Sequence, residues 1–271
     1  MKPTKIDIFE RYQEIVDRYG VKGCKSNDYI QREAADLIIH DALYEYCGEK
    51  NAFLMVKKNG FWRVYYYIND PEEKLIYEGD ELVTEIIFRG NLGEPTKEVN
   101  YLESCGFKRN LVRDQYFAKY ASLTPPVLIT GLSVESATRI EDVQWAIRLF
   151  NASFDKWSGD FIPDEMAECL LQEHAILIAK DMSDNRLGAL HLENKQGVTW
   201  LNHVAVVEQS RGMGVGRRLV EAYIEQGHVD ANSRYVLWVQ KKNLPAVNLY
   251  HKKGFTYMNK STLSMIKRYK I

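Results

Sequence analysis

The residues best placed to do chemistry lie in one short run, "RGMGVG", Arg211 to Gly216. An apolar stretch precedes it and a helical pattern follows. Three glycines at alternate positions weaken a helix start unless the backbone must turn or admit a close neighbour. A Rossmann fingerprint needs G-x-G-x-x-G. Counting from Gly212 puts Arg217 at the sixth position, and counting from Gly214 puts Leu219 there. Both registers fail, and no Gly-Lys-Ser/Thr follows to make a Walker loop. The pattern R-x-x-G-x-G remains. The first-turn amides of a helix have no internal acceptors, and the helix dipole adds positive potential there. Arg211, Arg217 and Arg218 concentrate further positive charge at the same end. This is the chemistry of an anion cradle, with glycines letting a diphosphate approach the backbone.

The elements that must position this run come in two similar sets. In the first half, "DIFERYQEIVDRYG" and "NDYIQREAADLIIHDALYEYC" carry helical apolar spacing: Ile8, Tyr12, Ile15 and Val16, then Ile30, Ala34, Leu37, Ile38 and Leu43. Strand-like runs "AFLMVKK", "FWRVYYYI" and "LVTEIIF" follow, the first two separated by the hairpin signal Asn59-Gly60. "EPTKEVNYLESCGF" reads as a helix entered through Pro95 and ended at Gly106, and "RDQYFAKYA" as a closing strand. "SLTPPVLITG" breaks the pattern and sets a boundary near Pro125.

The order then restarts. "TRIEDVQWAIRLFNASF" is a helix with a capping box at Thr138 and Glu141. "PDEMAECLLQEH", opened by Pro163, is a second helix. "AILIAK", "RLGALHLE" and "VTWLNHVAVV" are strands, followed by the glycine run, its helix, the strand "YVLWVQ", the helix "PAVNLYHKK" and the strand "STLSMIKRYKI". "NYLESCGF" aligns without gaps on "NLYHKKGF", and "AFLMVKK" on "AILIAKD". The first half has no counterpart of "RGMGVG".

The strand "V-x-x-x-x-R-G-x-G-x-G" and helix, followed by "N-x-x-A-x-x-L-Y-x-x-x-G-F", resemble the GNAT acyltransferases. The residues that carry the resemblance are Val206 and Arg211 to Gly216, then Asn243, Ala246, Leu249, Tyr250, Gly254 and Phe255. It covers about Pro126 to Ile271. It implies an α/β protein with two GNAT-like domains in tandem, each a mixed, mostly antiparallel sheet flanked by helices. Residues 1–122 would be a degenerate, non-catalytic copy and residues 126–271 the acetyltransferase.

The resemblance further implies acetyl-coenzyme A as cosubstrate. The backbone of Val204, Ala205 and Val206 would bind the pantetheine arm as a false strand. The amides of Gly212, Met213, Gly214, Val215, Gly216 and Arg217 would hold the pyrophosphate beside Arg211, and Asn243 would touch the arm. Tyr250 would be the general acid for the leaving thiolate; its repeat counterpart, Leu102, cannot donate. Family positions for the base hold Trp200, Asn202 and Trp238, none of them a base. Asn202 and Glu193 are the nearest candidates for base or acceptor contact, with His191 beside Glu193. His203, by simple alternation, faces away from Asn202.

Composition sets bounds. Basic and acidic residues number 36 and 37, which argues against a general nucleic-acid binder. Cys24, Cys47, Cys105 and Cys169 form no C-x-x-C pair, the histidines show no paired spacing, and no metal is expected. No run approaches a membrane span and the start lacks a signal-peptide core, so a cytoplasmic location without membrane partners is expected. The expected reaction is acetyl transfer to a primary amine, on a small molecule or peptide, by direct attack in a ternary complex. Transfer of another acyl or aminoacyl group and a non-catalytic coenzyme A sensor or scaffold are the alternatives. The first half is left to shape the acceptor cleft, to form a homodimer or to recognise a partner.

Overall fold

The computed structural model describes residues 2–58, 60–126, 131–158 and 161–268. Asn59 of the expected hairpin turn lies outside the described residues. The chain divides into two compact units: 1–112 with 260–271, and 113–259.

The first unit runs β1 (Thr4–Lys5), α1 (Phe9–Tyr19), β2 (Lys25–Ser26), α2 (Ala34–Ile39), β3 (Leu43–Cys47), β4 (Ala52–Lys58), β5 (Phe61–Ile68), β6 (Glu81–Phe88) and α3 (Thr96–Ser104). Next come β7 (Lys108–Lys119), β8 (Leu132–Ser136), α4 (Ile140–Ser153), α5 (Ala167–Gln172) and β9 (Ile176–Asp181). The chain continues through β10 (Arg186–Lys195), β11 (Val198–Val206), α6 (Val215–Gln226), β12 (Arg234–Gln240), α7 (Leu244–Lys252) and β13 (Thr256–Lys267). Each unit is a mixed, mostly antiparallel sheet with helices on both faces.

In the first unit the sheet order is β1-β3-β4-β5-β6-β13, with β2 paired on β5. Tyr12, Ile15 and Tyr19 of α1 and Ala34 and Ile38 of α2 cover one face, while Val99, Tyr101 and Leu102 of α3 cover the other. The second helical pattern is shorter than expected: α2 ends at Ile39, and Leu43 lies on β3. Ile8 sits at the cap of α1, where it is exposed.

In the second unit the order is β8-β9-β10-β11-β12-β7. Helix α4 and part of α5 pack on one face through Val143, Ala146, Ile147, Phe150 and Leu170. Helix α6 packs on the other through Val215, Leu219, Val220 and Tyr223. The expected capping box does not form: Arg139 is the cap of α4 and no side chain caps it.

The closing strands depart from a single cut near Pro125. Residues 261–267 of β13 pair with β6 of the first unit, Ser261 opposite Phe88 through Lys267 opposite Leu82. Residues 113–119 of β7 pair with β12 of the second unit. Each unit is thus closed by a strand that follows or precedes the rest of it in the chain. Both strands read as closing strands because their apolar residues alternate; alternation does not say which sheet is closed.

Both units contain one parallel strand pair that starts paired and then separates. In the second, Val198–Leu201 pairs with Arg234–Leu237 and the register stops there. In the first, Phe61–Arg63 pairs with Glu81–Val83 and then stops. The strand bordering each pair is β4 in the first unit and β10 in the second. That order makes β4 the counterpart of β10, so "AFLMVKK" does not match "AILIAKD", which is β9, one strand further out.

The two separations differ in their contents. In the first unit the chain fills its own gap. Lys25 and Ser26 pair with Ile68 and Tyr67 on the edge of β5. Asn27, 2% exposed, bridges the two strands. The Tyr66 amide donates to its Oδ1 at 2.7 Å, and its Nδ2 donates to the Glu85 carbonyl at 2.8 Å and to Thr84 Oγ1 at 2.9 Å. Asp28 accepts from Tyr12 and Tyr67. Replacing Asn27 by leucine strands a buried N–H and a buried carbonyl, each worth about 1–3 kcal/mol. Urea denaturation should show the first unit destabilised by about 2–4 kcal/mol; a loss under about 1 kcal/mol would contradict the bridging role.

Candidate functional site

The separated strands of the second unit present a free edge next to the glycine run. On one side, Val204, Ala205 and Val206 pair with Leu190, Ala189 and Gly188 of β10. Among the described residues, their other side, toward β12, has no strand partner beyond Leu201. The structure therefore brings Val204, Ala205 and Val206 together with the start of α6, as a phosphate-bearing arm would need.

The glycines do different jobs. Gly212 and Gly214 have φ of 82° and 85°, the left-handed region that favours glycine. They turn the chain from β11 into α6, with Gly214 as the cap and no side chain capping the helix. The first amide of α6 to bond back within the turn is that of Arg218, to Gly214 O at 3.0 Å. Those of Val215, Gly216 and Arg217 belong to the first turn, which has no internal acceptors. Gly216 is helical, and a Cβ there would meet only Val206 Cγ2 at 3.6 Å, an ordinary contact. The fold therefore does not need glycine at Gly216.

The arginines are more constrained than their spacing implied. Arg217 Nε reaches Glu221 at 3.1 Å, and Arg218 pairs with Glu225 at 3.2 Å. Glu221 also pairs with Lys253, both fully buried, tying α6 to the end of α7. Arg211 and Met213 are exposed, and Arg211 forms no ion pair among the described residues. Arg217, Asn248, Lys252 and Lys253 line a cleft of about 330 Å³ between α6 and α7.

Tyr250 is 3% exposed on the inner face of α7, edge-on to Phe255 with centroids 5.9 Å apart. It shares a buried cluster with Tyr223, Leu201 and Leu237. The Tyr223 hydroxyl donates to the carbonyls of Thr199 at 2.7 Å and Val236 at 3.3 Å, in the last paired stretch of β11 and β12. Tyr250 therefore belongs to the cluster at the vertex of the separation. Burial pushes its phenol well above the ordinary value of 10.0, so it stays protonated. Leu102 sits buried on α3 of the first unit, where no such hydroxyl exists. Asn243 caps α7: the Ala246 amide donates to its Oδ1 at 3.3 Å. Its side chain thus has a helix-capping role that the motif spacing did not reveal.

A bulge sets the residues at the vertex. Leu192 pairs with Leu201 and His191 with His203, so Asn202 is an extra residue on β11. Leu201, Val204 and Val206 all pack with the α6 cluster, a spacing of three and then two. His203 instead packs with Phe150 of α4 and Phe154 just past its end, at centroid distances of 5.2 and 5.3 Å. Simple alternation would have placed His203 with Leu201 on the α6 face. The bulge reverses the phase of the strand and moves it to the α4 face, a displacement no pattern in the residues discloses.

Asn202 is exposed at the bulge. Glu193, opposite Trp200, forms an ion pair with Lys195 at 2.6 Å. His191 Nδ1 and His203 Nδ1 are 3.0 Å apart with rings parallel within 4°. Burial, with His203 second, lowers His191 from 6.5 to about 4. Among the described residues no cluster of histidine, cysteine and carboxylate groups could hold a metal ion, and no helix is long and apolar enough to cross a membrane. Cys24, Cys47, Cys105 and Cys169 are free thiols.

Comparison with known proteins accords with this geometry. The model of the acetyltransferase (GNAT) family matches residues 143–255. A curated relative, mycothiol acetyltransferase of Segniliparus rotundus, is 26% identical over 164 residues. That match spans 55% of this chain and 60% of the relative, less than two thirds of its length. A GCN5-related N-acetyltransferase from Sphaerobacter thermophilus superposes with a TM-score of 0.59 at 13% identity, covering 82% of this chain and 77% of its own. A tandem GNAT protein from the clavulanic acid biosynthesis pathway gives a TM-score of 0.55 at 12% identity, covering 85% and 84%. Residues 143–255 thus form a domain of the acetyltransferase (GNAT) family, in a chain that shares its fold with a tandem GNAT protein.

Proposed function

We propose that the second unit transfers an acetyl group from acetyl-coenzyme A to a primary amine. The observation that carries this is the free edge of β11 leading to an uncapped, glycine-lined helix start. A pantetheine arm would bond to the backbone of Val204, Ala205 and Val206 as an added strand. The amides of Gly212 and of Gly214 to Arg217 would hold the pyrophosphate, with Arg211 adding charge, while the Met213 amide donates to the Ser210 carbonyl at 3.4 Å. Arg217 would serve through its backbone amide, because its side chain is engaged by Glu221. Asn243 would place the start of α7 and so Tyr250, more than touch the arm itself. Asn202, exposed at the vertex, would contact the acceptor.

A thioester is already activated, so the chain's work is positioning and proton transfer. Tyr250, kept protonated by burial, would donate to the leaving thiolate. No cysteine lies in either motif to carry a covalent acyl group, which favours direct attack. The curated relative is named as an acetyltransferase, which supports acetyl as the transferred group. The first unit would bind no cofactor, because residues 25–28 occupy the gap that the arm would need. It would be a degenerate, non-catalytic domain.

The test is thiol release from acetyl-coenzyme A with a panel of primary amines: glucosamine, spermidine, lysine and a peptide amino terminus. Release that depends on amine is expected. Tight binding without release for any amine would favour a coenzyme A sensor instead.

A further inference from the structure

The base absent from the family positions has a replacement built by the bulge. We propose that His203 and His191 together accept the proton of the acceptor amine. This rests on the acetyltransferase reading of the second unit. An arm anchored at the start of α6 and running along β11 reaches the vertex at Asn202. His203 follows that residue directly and lies on the face opposite α6, buried against Phe150, with His191 half-buried beside it.

Two Nδ1 atoms at 3.0 Å must share one hydrogen. One ring therefore carries hydrogen on Nδ1, and the other presents its Nδ1 lone pair. The bridge survives addition of one proton to the pair and breaks on addition of a second. The pair thus takes up a single proton and holds it in a fixed geometry. Burial favours the neutral form of His191. Phe150 faces His203 from α4 and Phe154 from the residue after that helix, Ile176 pairs beside His191 on β9, and Glu193 on β10 is paired with Lys195.

In the reaction the ammonium gives a proton to the pair, which passes it to solvent. The freed nitrogen lone pair forms the C–N bond at the thioester carbon, and the second N–H proton is then lost to the emptied pair. The C–S bond breaks, and the thiolate takes the Tyr250 proton. The second proton of the pair restores the phenol through solvent, so the products are amide, thiol and one proton.

The test compares wild type, His203→Gln and His191→Gln for acetyl-coenzyme A affinity, melting temperature and the pH dependence of kcat with the amine panel. His203→Gln should lose about 10²–10³-fold in kcat, keep cofactor affinity, and show a rate rising in proportion to hydroxide. His191→Gln should lose less and shift the acid limb, because the partner ring loses its bridge. If both variants keep the wild-type kcat and acid limb, with only the melting temperature changed, the pair is core packing and the proposal falls while the acetyltransferase reading stands. A wild type that binds acetyl-coenzyme A but acetylates no amine would remove both.

Discussion

Replacing Gly216 with alanine is expected to leave the fold intact or slightly more stable, and to weaken acetyl-coenzyme A binding by about 10–100-fold. The two effects have opposite signs because two different partners see the new methyl. Within the protein it meets Val206 Cγ2 at 3.6 Å, ordinary contact distance. Alanine is also the better helix residue, by up to about 1 kcal/mol in a helix interior. Outside, the methyl stands over the first-turn amides where the pyrophosphate would lie. Displacing one charge-assisted hydrogen bond there costs about 1.5–3 kcal/mol. Thermal melting and calorimetry on one preparation separate the two effects. Gly214→Ala cannot make this separation, because a φ of 85° strains any side chain and the fold itself suffers. Unchanged affinity in Gly216→Ala would mean that nothing bulky rests on this turn.

Tyr250→Phe is expected to lower kcat by about 10²–10³-fold while leaving cofactor affinity within about two-fold. The ring stays in its cluster against Phe255, so packing is conserved and only the donor is lost. Burial holds the phenol above its ordinary 10.0, and the wild type should therefore show no alkaline fall from this group below about pH 10. The check is single-turnover thiol release as a function of pH for both proteins. A variant that retains the wild-type rate would assign the proton donor elsewhere.

The glycine run and the Asn243-to-Phe255 motif were legible because they are local. A helix start with alternate glycines needs no distant partner to be recognised, and both features fall within the segment matched by the family. The helix and strand order was legible for the same reason, since apolar spacing reports one element at a time. What stayed hidden depends on residues far apart in the chain. Asn202 becomes a bulge only because Leu201 and His203 take adjacent partners on β10, and that one-residue offset decides which face His203 occupies. Asn27 is an ordinary polar residue until Tyr66 and Glu85 flank it. The pairing of residues 261–267 with β6 spans most of the chain. The Arg217–Glu221 pair, by contrast, is an i,i+4 spacing within α6 and was local, whereas Lys253 reaches Glu221 only through packing.

The most direct test of the central claim is a calorimetric titration of the full chain with acetyl-coenzyme A. Saturation at one molecule per chain, with affinity reduced by Gly216→Ala and unaffected by Tyr250→Phe, is the predicted result. No binding to the folded protein, or binding that Gly216→Ala leaves unchanged, would contradict it.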